Sequence, residues 1–317
     1  MARIRDTSYD KSVVYEPSED SFLLADAVAE EIWSREKRKE SNALKRLDDD
    51  DDENDFDDDE NDDEEEEEEF VSVEIGVGSG YVLCSHAMRF CEEMKERQQK
   101  QQKDEKTKKK YRRRLKRRTW RFIGVDVNEK AVEHAKETMR RHGLRVVGDD
   151  EEEEEKEDFE DDDSSSRYSI EIFRGDMLED DRFYRRRINA KKKKTEEVKE
   201  EERKKKPIDV LLFNPPYVVT PSEEIYDPST KSSSLSSSLT AAWAGGLRGR
   251  EVVNRILYDI KSWLRPNGGT FLVVAYAQND IEEMMSILSN QDGMRVERAK
   301  WTKADEESLV VLKAVRL

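Results

Sequence analysis

The segment Phe213–Tyr217 reads F-N-P-P-Y and follows I-D-V-L-L, a nearly all-apolar run of the kind that forms a strand buried on both faces. Two prolines stiffen the chain directly after that strand. The side-chain carbonyl of Asn214 and the backbone carbonyl of Pro215 can then point the same way. Together they offer two fixed acceptors for the two hydrogens of a planar NH2 group, in an amide or an exocyclic base amine. Such a nitrogen is a poor nucleophile because its lone pair is delocalised. Holding both hydrogens favours a geometry in which that lone pair can attack, with Pro216 shaping the pocket and Tyr217 offering a flat face to the planar substrate. This is catalysis by positioning and electrostatics, without metal or covalent intermediate. The plainer alternative is a Pro-rich turn with Asn as a cap.

A second group of residues lies upstream. The segment E-I-G-V-G-S-G (Glu74–Gly80) places Gly76, Gly78 and Gly80 in a turn that lets a ligand approach the backbone. Its spacing is GxGxG rather than the GxGxxG of dinucleotide enzymes. The next strand ends in Asp126, where an acid commonly binds ribose hydroxyls, about 20 residues past the glycines. Gly78 and Asp126 are 48 residues apart, and 24 remain once a 24-residue basic run between them is set aside. The third strand ends in Gly175-Asp176-Met177, an acid and an apolar residue suited to the edge and face of an adenine. Alternatively, Asp126 caps the following helix and Asp176 sits in a solvated turn.

These residues need a scaffold that brings strand ends together. Residues 18–34 carry Phe22, Leu23, Ala27, Val28 and Ile32 at helical spacing, with Ser18 as a candidate N-cap. Strands are expected at 70–76, 120–126, 168–176, 208–214 and 269–277. Helices are expected from about 81, over 128–142, over 248–264 with Pro266 and Gly268 ending it, and over 281–290. Two alternating strands close the chain. The alternation predicts an α/β fold: a Rossmann-like, doubly wound, seven-stranded, mostly parallel sheet with a C-terminal antiparallel hairpin at one edge.

Composition at first sight argues against any fold. The 317 residues include 58 Lys and Arg against 76 Asp and Glu, a net charge of −18. Four blocks hold most of it: 48–69 and 149–163 are acidic, 95–118 and 182–206 are basic. Setting these 86 residues aside leaves 231 with a net charge of −6, which suits one globular domain interrupted by charged insertions. A Ser-rich loop at 229–240 is a fifth such segment. The insertions read as low-complexity filler in surface loops; the alternative gives the basic runs a role in contacting ribosome, RNA or import factors. No apolar run approaches the ~20 residues of a membrane span. The N-terminal segment lacks the apolar stretch of a secretory signal. Cys84 and Cys91 read as thiols on one helix face, and three histidines without a Cys or carboxylate pattern argue against a metal site. The expected home is the cytoplasm, with the nucleus as an alternative.

The FNPPY segment resembles the subgroup of class I S-adenosylmethionine-dependent methyltransferases that methylates planar nitrogens. With V-Y-E-P-S-E-D-S-F-L-L-A-D-A-V (Val14–Val28), E-I-G-V-G-S-G and A-A-W-A-G-G-L-R-G-R-E-V-V-N-R (Ala241–Arg255), the chain resembles the eukaryotic and archaeal HemK-type methyltransferases. The resemblance implies S-adenosyl-L-methionine as cofactor and, as substrate, the glutamine of the Gly-Gly-Gln loop of a class-1 peptide chain release factor. It implies that Tyr15, Glu16, Pro17 and Ser21 close over the cofactor, with Ser21 standing where Thr is common. It implies Glu74, Gly76 and Gly78 at the methionine part, Asp126 at the ribose, Asp176 and Met177 at the adenine, and Asn214 near both cofactor and substrate. Val77 stands where a small polar residue is more usual. The family also implies a small zinc-binding activator subunit forming a heterodimer. The third strand, an edge in the usual sheet order, carries Tyr168, Ile170 and Ile172 on one face, either for that partner or for the core.

Three rivals stay open at this stage: an adenine-N6 nucleic-acid methyltransferase, a protein-lysine methyltransferase of the same family, and a non-catalytic scaffold.

Overall fold

The computed structural model describes residues 14–33, 68–101, 118–147, 168–176, 207–225, 240, 242–304 and 307–317. Their strands are β1 (Glu68–Ile75), β2 (Arg118–Asp126), β3 (Tyr168–Arg174), β4 (Val210–Phe213), β5 (Thr270–Tyr276), β6 (Met294–Ala304) and β7 (Glu307–Arg316). They form one sheet in the order β3-β2-β1-β4-β5-β7-β6. The first five run parallel, and β7 pairs antiparallel with both β5 and β6. This is the sheet expected from the sequence, with β3 at one edge and β6 at the other. Two of the charged blocks have described residues that meet the sheet at the start of a strand. Glu68 and Glu69 open β1, and Arg118 opens β2.

Strand alternation divides the core into two layers. Phe70, Trp120, Phe122, Ile170 and Ile172 face α1 (Glu19–Val28), α2 (Tyr81–Gln101) and α3 (Glu129–Arg141). Val73, Ile123, Leu211 and Phe271 face α4 (Glu251–Leu257), α5 (Ile260–Trp263) and α6 (Ile281–Ser289) on the other side. The apolar face of β3 therefore covers core: Ile170 and Ile172 are buried, and Tyr168 meets Phe90 edge-on. Cys84 is buried and Cys91 half-buried, and burial pushes the Cys84 thiol up to about 12, away from nucleophilic use.

Two helices differ from expectation for visible reasons. Ser18 makes no side-chain cap; its Oγ donates instead to Asp20 Oδ1 at 2.8 Å. After Val28 the helix widens into a π-turn, Ala29–Trp33, and Trp33 stacks on Trp120 with ring centroids 5.1 Å apart. The helix expected over 248–264 is broken between α4 and α5. Gln291, from beyond α6, accepts from Lys261 N (3.1 Å) and donates to Leu257 O (2.8 Å). A side-chain amide thus stands in for the i→i−4 bond, which is a cause of kinking. Phe22, placed on the apolar face by spacing, is 45% exposed and packs edge-on against Tyr81.

At the end of the sheet away from the glycine turn, Asp209 holds three segments. Its carboxylate accepts from Val71 N (2.8 Å) and from Arg265 Nε and Nη2 (2.6 and 3.0 Å). Replacing Asp209 with Ala removes the acceptor of the buried Val71 amide and the carboxylate partner of Arg265, so unfolding free energy should fall by about 2–3 kcal/mol. Urea denaturation checks this, and a loss under about 0.5 kcal/mol would show that water replaces the carboxylate.

Candidate active site

The carboxyl ends of β1, β2, β3 and β4 open into a cleft of about 1270 Å³, its mouth included. Parallel strands place their C-terminal tips on one side, so side chains distant in sequence converge there. The turn after β1 forms its floor. Gly76, Gly78 and Gly80 all have positive φ (68°, 51° and 80°), which side-chain-bearing residues adopt at a cost. Gly76 N and Val77 N both donate to Val125 O, at 2.8 and 3.0 Å. The buried Val77 side chain packs over Gly124, where a Cβ would lie 2.9 Å from Val77 Cγ2. An apolar residue at 77 thus serves the core, which explains its presence where a polar one was expected.

Asp126 lines the cleft and ties it together. Its Oδ2 accepts from Gly78 N (2.9 Å) and its Oδ1 from Asn128 N (2.8 Å). Burial raises its carboxyl above the ordinary range, against the pull of these backbone donors. The cap of α3 is Asn128, whose Oδ1 accepts from Lys130 N. Glu74 is deeper, 2% exposed, and receives the backbone N–H of Leu83. Its Oε2 is buried without a hydrogen-bond partner. Burial, with Asp126 adding to it, holds Glu74 well above the usual carboxylate range.

At the tip of β4, Asn214 Oδ1 is likewise buried and without a partner. Asn214, Pro215 and Pro216 line the cleft. Tyr217 does not: its hydroxyl donates to Asp20 Oδ2 at 3.1 Å and its ring packs against Tyr276. The sequence reading gave it a substrate-facing role, but the hydroxyl finds a buried carboxylate and the ring turns to the core. Tyr15, Ser21 and Asp176 line the cleft, whereas Glu16 and Pro17 do not. The Ser21 hydroxyl donates to Asp20 Oδ1 (3.2 Å). Met177 lies outside the described residues, as does the Ser-rich stretch 229–239, although Ile225 and Ala242 on either side of that stretch line the cleft.

Three further residues at or beside the cleft had no assignment from the sequence. Asp20 is 3% exposed and lines the cleft, although an acid in the first turn of a helix is ordinarily solvated. Arg255 reaches the cleft from α4 and pairs with Asp176 (Nη2 to Oδ2, 2.9 Å). Asn279 follows β5; its Nδ2 donates to Tyr217 O (2.8 Å) and Arg248 O (3.0 Å), and its Oδ1 accepts from Tyr276 N (2.7 Å). A polar residue just past a parallel strand was the available signal for it. The AWAGG loop is held against this point. A Cβ on Gly249 would lie 2.0 Å from Tyr217 O, so no other residue fits that approach.

The described lining holds four carboxylates, Asp20, Glu74, Asp126 and Asp176, against one cation, Arg255, which is already paired. Such a cleft favours a cationic ligand. The unpaired Glu74 Oε2 is an acceptor for an ammonium, and the unpaired Asn214 Oδ1 is an acceptor for a neutral N–H.

No protein-family model matches the chain. It is 39% identical over 106 residues to human "Methyltransferase HEMK2", a third of this chain and 44% of that protein. It is 36% identical over 110 residues to the fission-yeast "eRF1 methyltransferase catalytic subunit mtq2", 35% of this chain and again 44% of the relative. The matched stretches thus span less than half of these relatives. A "putative protein N5-glutamine methyltransferase" of Methanocaldococcus jannaschii is 33% identical over 109 residues, 34% of this chain and half of that protein. The chain is similar to the HemK-type methyltransferases. The resemblance read from its motifs thus has named relatives. Among solved structures, the E. cuniculi Mtq2-Trm112 complex aligns over 96% of this chain and 99% of that one, at 17% identity and a TM-score of 0.40.

The unpaired Glu74 carboxylate makes a signed prediction. Its folded-state pKa lies above the ordinary 4.5, so its protonation favours the fold, and stability falls as pH rises from 4.5 toward the folded value. Glu74→Gln removes this loss. Without ligand, the melting temperature of the variant relative to the parent should climb as pH rises above 4.5, by about 2–4 °C per kcal/mol relieved. Affinity for a ligand bearing an ammonium should fall by about tenfold. A pH-independent difference in melting temperature would mean Glu74 ionises freely in the folded chain.

Proposed function

We propose that the chain is an S-adenosyl-L-methionine-dependent protein-glutamine N5-methyltransferase. Its substrate on this reading is the Gly-Gly-Gln glutamine of a class-1 peptide chain release factor. The observation that carries the reading is the buried, unpartnered Oδ1 of Asn214, set by two prolines at the rim of an acidic cleft. The names of the relatives supply the substrate class: two are called methyltransferases of eRF1 or of protein glutamine.

The cofactor fits the residues present. Glu74 Oε2 would accept from its ammonium, the 76–80 turn would carry its methionine part, and Asp126 and Asp176 would face its ribose and adenine. When bound, it would supply an electrophilic methyl group on a positively charged sulfur. The chain's own residues then do the rest by position. Asn214 Oδ1 accepts one hydrogen of the glutamine amide, and the Pro215 carbonyl accepts the other. Both acceptors are fixed before the substrate arrives, so little reorganisation is left for the reaction. The amide plane is set by these two contacts, which aims the nitrogen lone pair, perpendicular to that plane, toward the cofactor side; the N–H proton, acidic once the nitrogen carries the methyl, is then lost to water.

The acidic lining speaks against a nucleic-acid substrate, because a phosphodiester backbone meets no unpaired described cation in the cleft. A lysine amine is not planar and would use the paired acceptors poorly. The proposed partner is a small zinc-binding activator subunit. It is supported by the fission-yeast relative's description as a catalytic subunit and by the edge position of β3, which among described strands pairs with β2 alone. Since the side chains of β3 that face α2 and α3 are committed to the core, such a partner would use the strand's backbone edge. The cytoplasm is the proposed location.

The test is mass spectrometry of a release factor incubated with S-adenosylmethionine and the chain, co-expressed with an activator subunit, beside an unmethylated DNA duplex. The expected result is one added methyl on the Gly-Gly-Gln glutamine. Asn214→Ala should lower the rate by at least about 10²–10³-fold without unfolding the chain. Methyl transfer to adenine, or unchanged transfer by the variant, would overturn the reading.

A further inference from the structure

Tyr217 is held at both ends by side chains from opposite parts of the chain. Its hydroxyl donates to Asp20 Oδ2, and its backbone carbonyl receives Asn279 Nδ2. Asp20 is itself saturated from the N-terminal segment. Its Oδ1 accepts from Ser18 Oγ (2.8 Å), Ser21 N (2.6 Å) and Ser21 Oγ (3.2 Å). All but 3% of Asp20 is buried. This carboxylate therefore spends one oxygen on the segment that passes over the cleft and the other on the residue that follows the two prolines.

The same segment is anchored beyond Asp20. Val14 is buried against Ala131 at the start of α3, across the glycine turn, and Tyr15 Oη and Ser18 Oγ lie 3.2 Å apart. At the far end of α1, Glu31 pairs with Lys313 (2.5 Å) and Glu30 with Lys300. Residues 14–33 thus run as a strap from α3 over the cleft to the β6–β7 hairpin. Asp20 is its tie to the Asn-Pro-Pro-Tyr loop.

We propose that Asp20 is a positioning residue that couples the two halves of the site through Tyr217. It holds the cofactor-side strap and the amide-side loop in one hydrogen-bonded unit, so that the strap is preorganised only when Tyr217 is in place. The inference rests on the proposed cofactor. It reassigns Tyr217 from a substrate-stacking face to the pin of this unit. The charge on Asp20 matters because its four donors, three hydroxyls and a backbone amide, would be held more weakly by a neutral side chain.

The test compares the full chain with Tyr217→Phe, Asp20→Asn and the double variant. Tyr217→Phe keeps the ring and removes only the hydroxyl. Amide hydrogen exchange of the ligand-free proteins should rise about tenfold over residues 15–24 in each single variant, with β5 amides unchanged. S-adenosylhomocysteine affinity, by calorimetry, should fall about three- to tenfold in each, and by no more in the double variant than in the weaker single one. Unchanged exchange over 15–24 in Tyr217→Phe overturns the proposal. So does raised exchange with unchanged affinity, or additive losses in the double variant. No binding by the parent chain would sink the proposed cofactor and the coupling with it. Binding without glutamine methylation would sink only the substrate assignment and leave these comparisons valid.

Discussion

Burying Glu74 with one oxygen unpaired is a cost the rest of the sheet has to carry. A carboxyl in this position is either neutral or ionised in a poorly solvating interior, and both states are worse than exposure to water. It is held there because β1 is central, with β2 and β4 on either side and core layers above and below. Asn214 Oδ1 is a smaller cost of the same kind at the tip of the neighbouring strand. Preorganised acceptors are necessarily unsatisfied until their donors arrive, and a rigid parallel sheet is what lets a chain keep them so.

The local part of this arrangement was legible in sequence. The glycine turn, Asp126, Asp176 and the Asn-Pro-Pro run each sit at a strand end that apolar runs already mark, so their convergence followed from the parallel topology. Long-range bonds were not legible. Tyr217 reaches Asp20 across 197 positions and Asn279 across 62, and Arg255 reaches Asp176 across 79. Nothing in the spacing of Tyr217 shows that its hydroxyl has a buried carboxylate waiting. The break between α4 and α5 is a similar case, since the amide that enters the helix ladder comes from Gln291. Periodicity finds an element and its faces, and it is silent on a polar side chain that replaces a backbone bond.

The charged blocks obscured the fold without altering it. Among the described residues the sheet is continuous, and the blocks meet it only at element ends: Glu68 and Glu69 are the first pairs of β1 with β2, opposite Arg118 and Thr119. Loop length carries a cost that grows slowly, about 0.6 kcal/mol for each doubling, so a core of this size tolerates long insertions at its turns. What the strands need is that an insertion leave before and return after the paired segment, and the described ends of two blocks, at Glu68–Glu69 and Arg118, lie at the first pairs of β1 with β2.

The charge distribution in the cleft also bears on why residue 214 is Asn and not Asp. Among the described residues, four carboxylates line the cleft with one paired cation, so a bound cation is well held before any reaction. On the proposed reading that positive charge is lost in reaching the transition state. A fifth carboxylate beside the reacting atoms would then stabilise the bound ground state more than the transition state, deepening the well the reaction must leave. A neutral amide oxygen accepts the same hydrogen bond without that penalty. Glu74 and Asp126 can be anionic because the methionine and ribose portions they would face keep their charge and polarity throughout, whereas Asn214 stands where charge disappears. On that reading the site separates binding by carboxylates at the ends of β1 and β2 from orientation by neutral carbonyls just past β4. The Asp20–Tyr217 hydrogen bond, from the strap to the β4 side, is where the two meet.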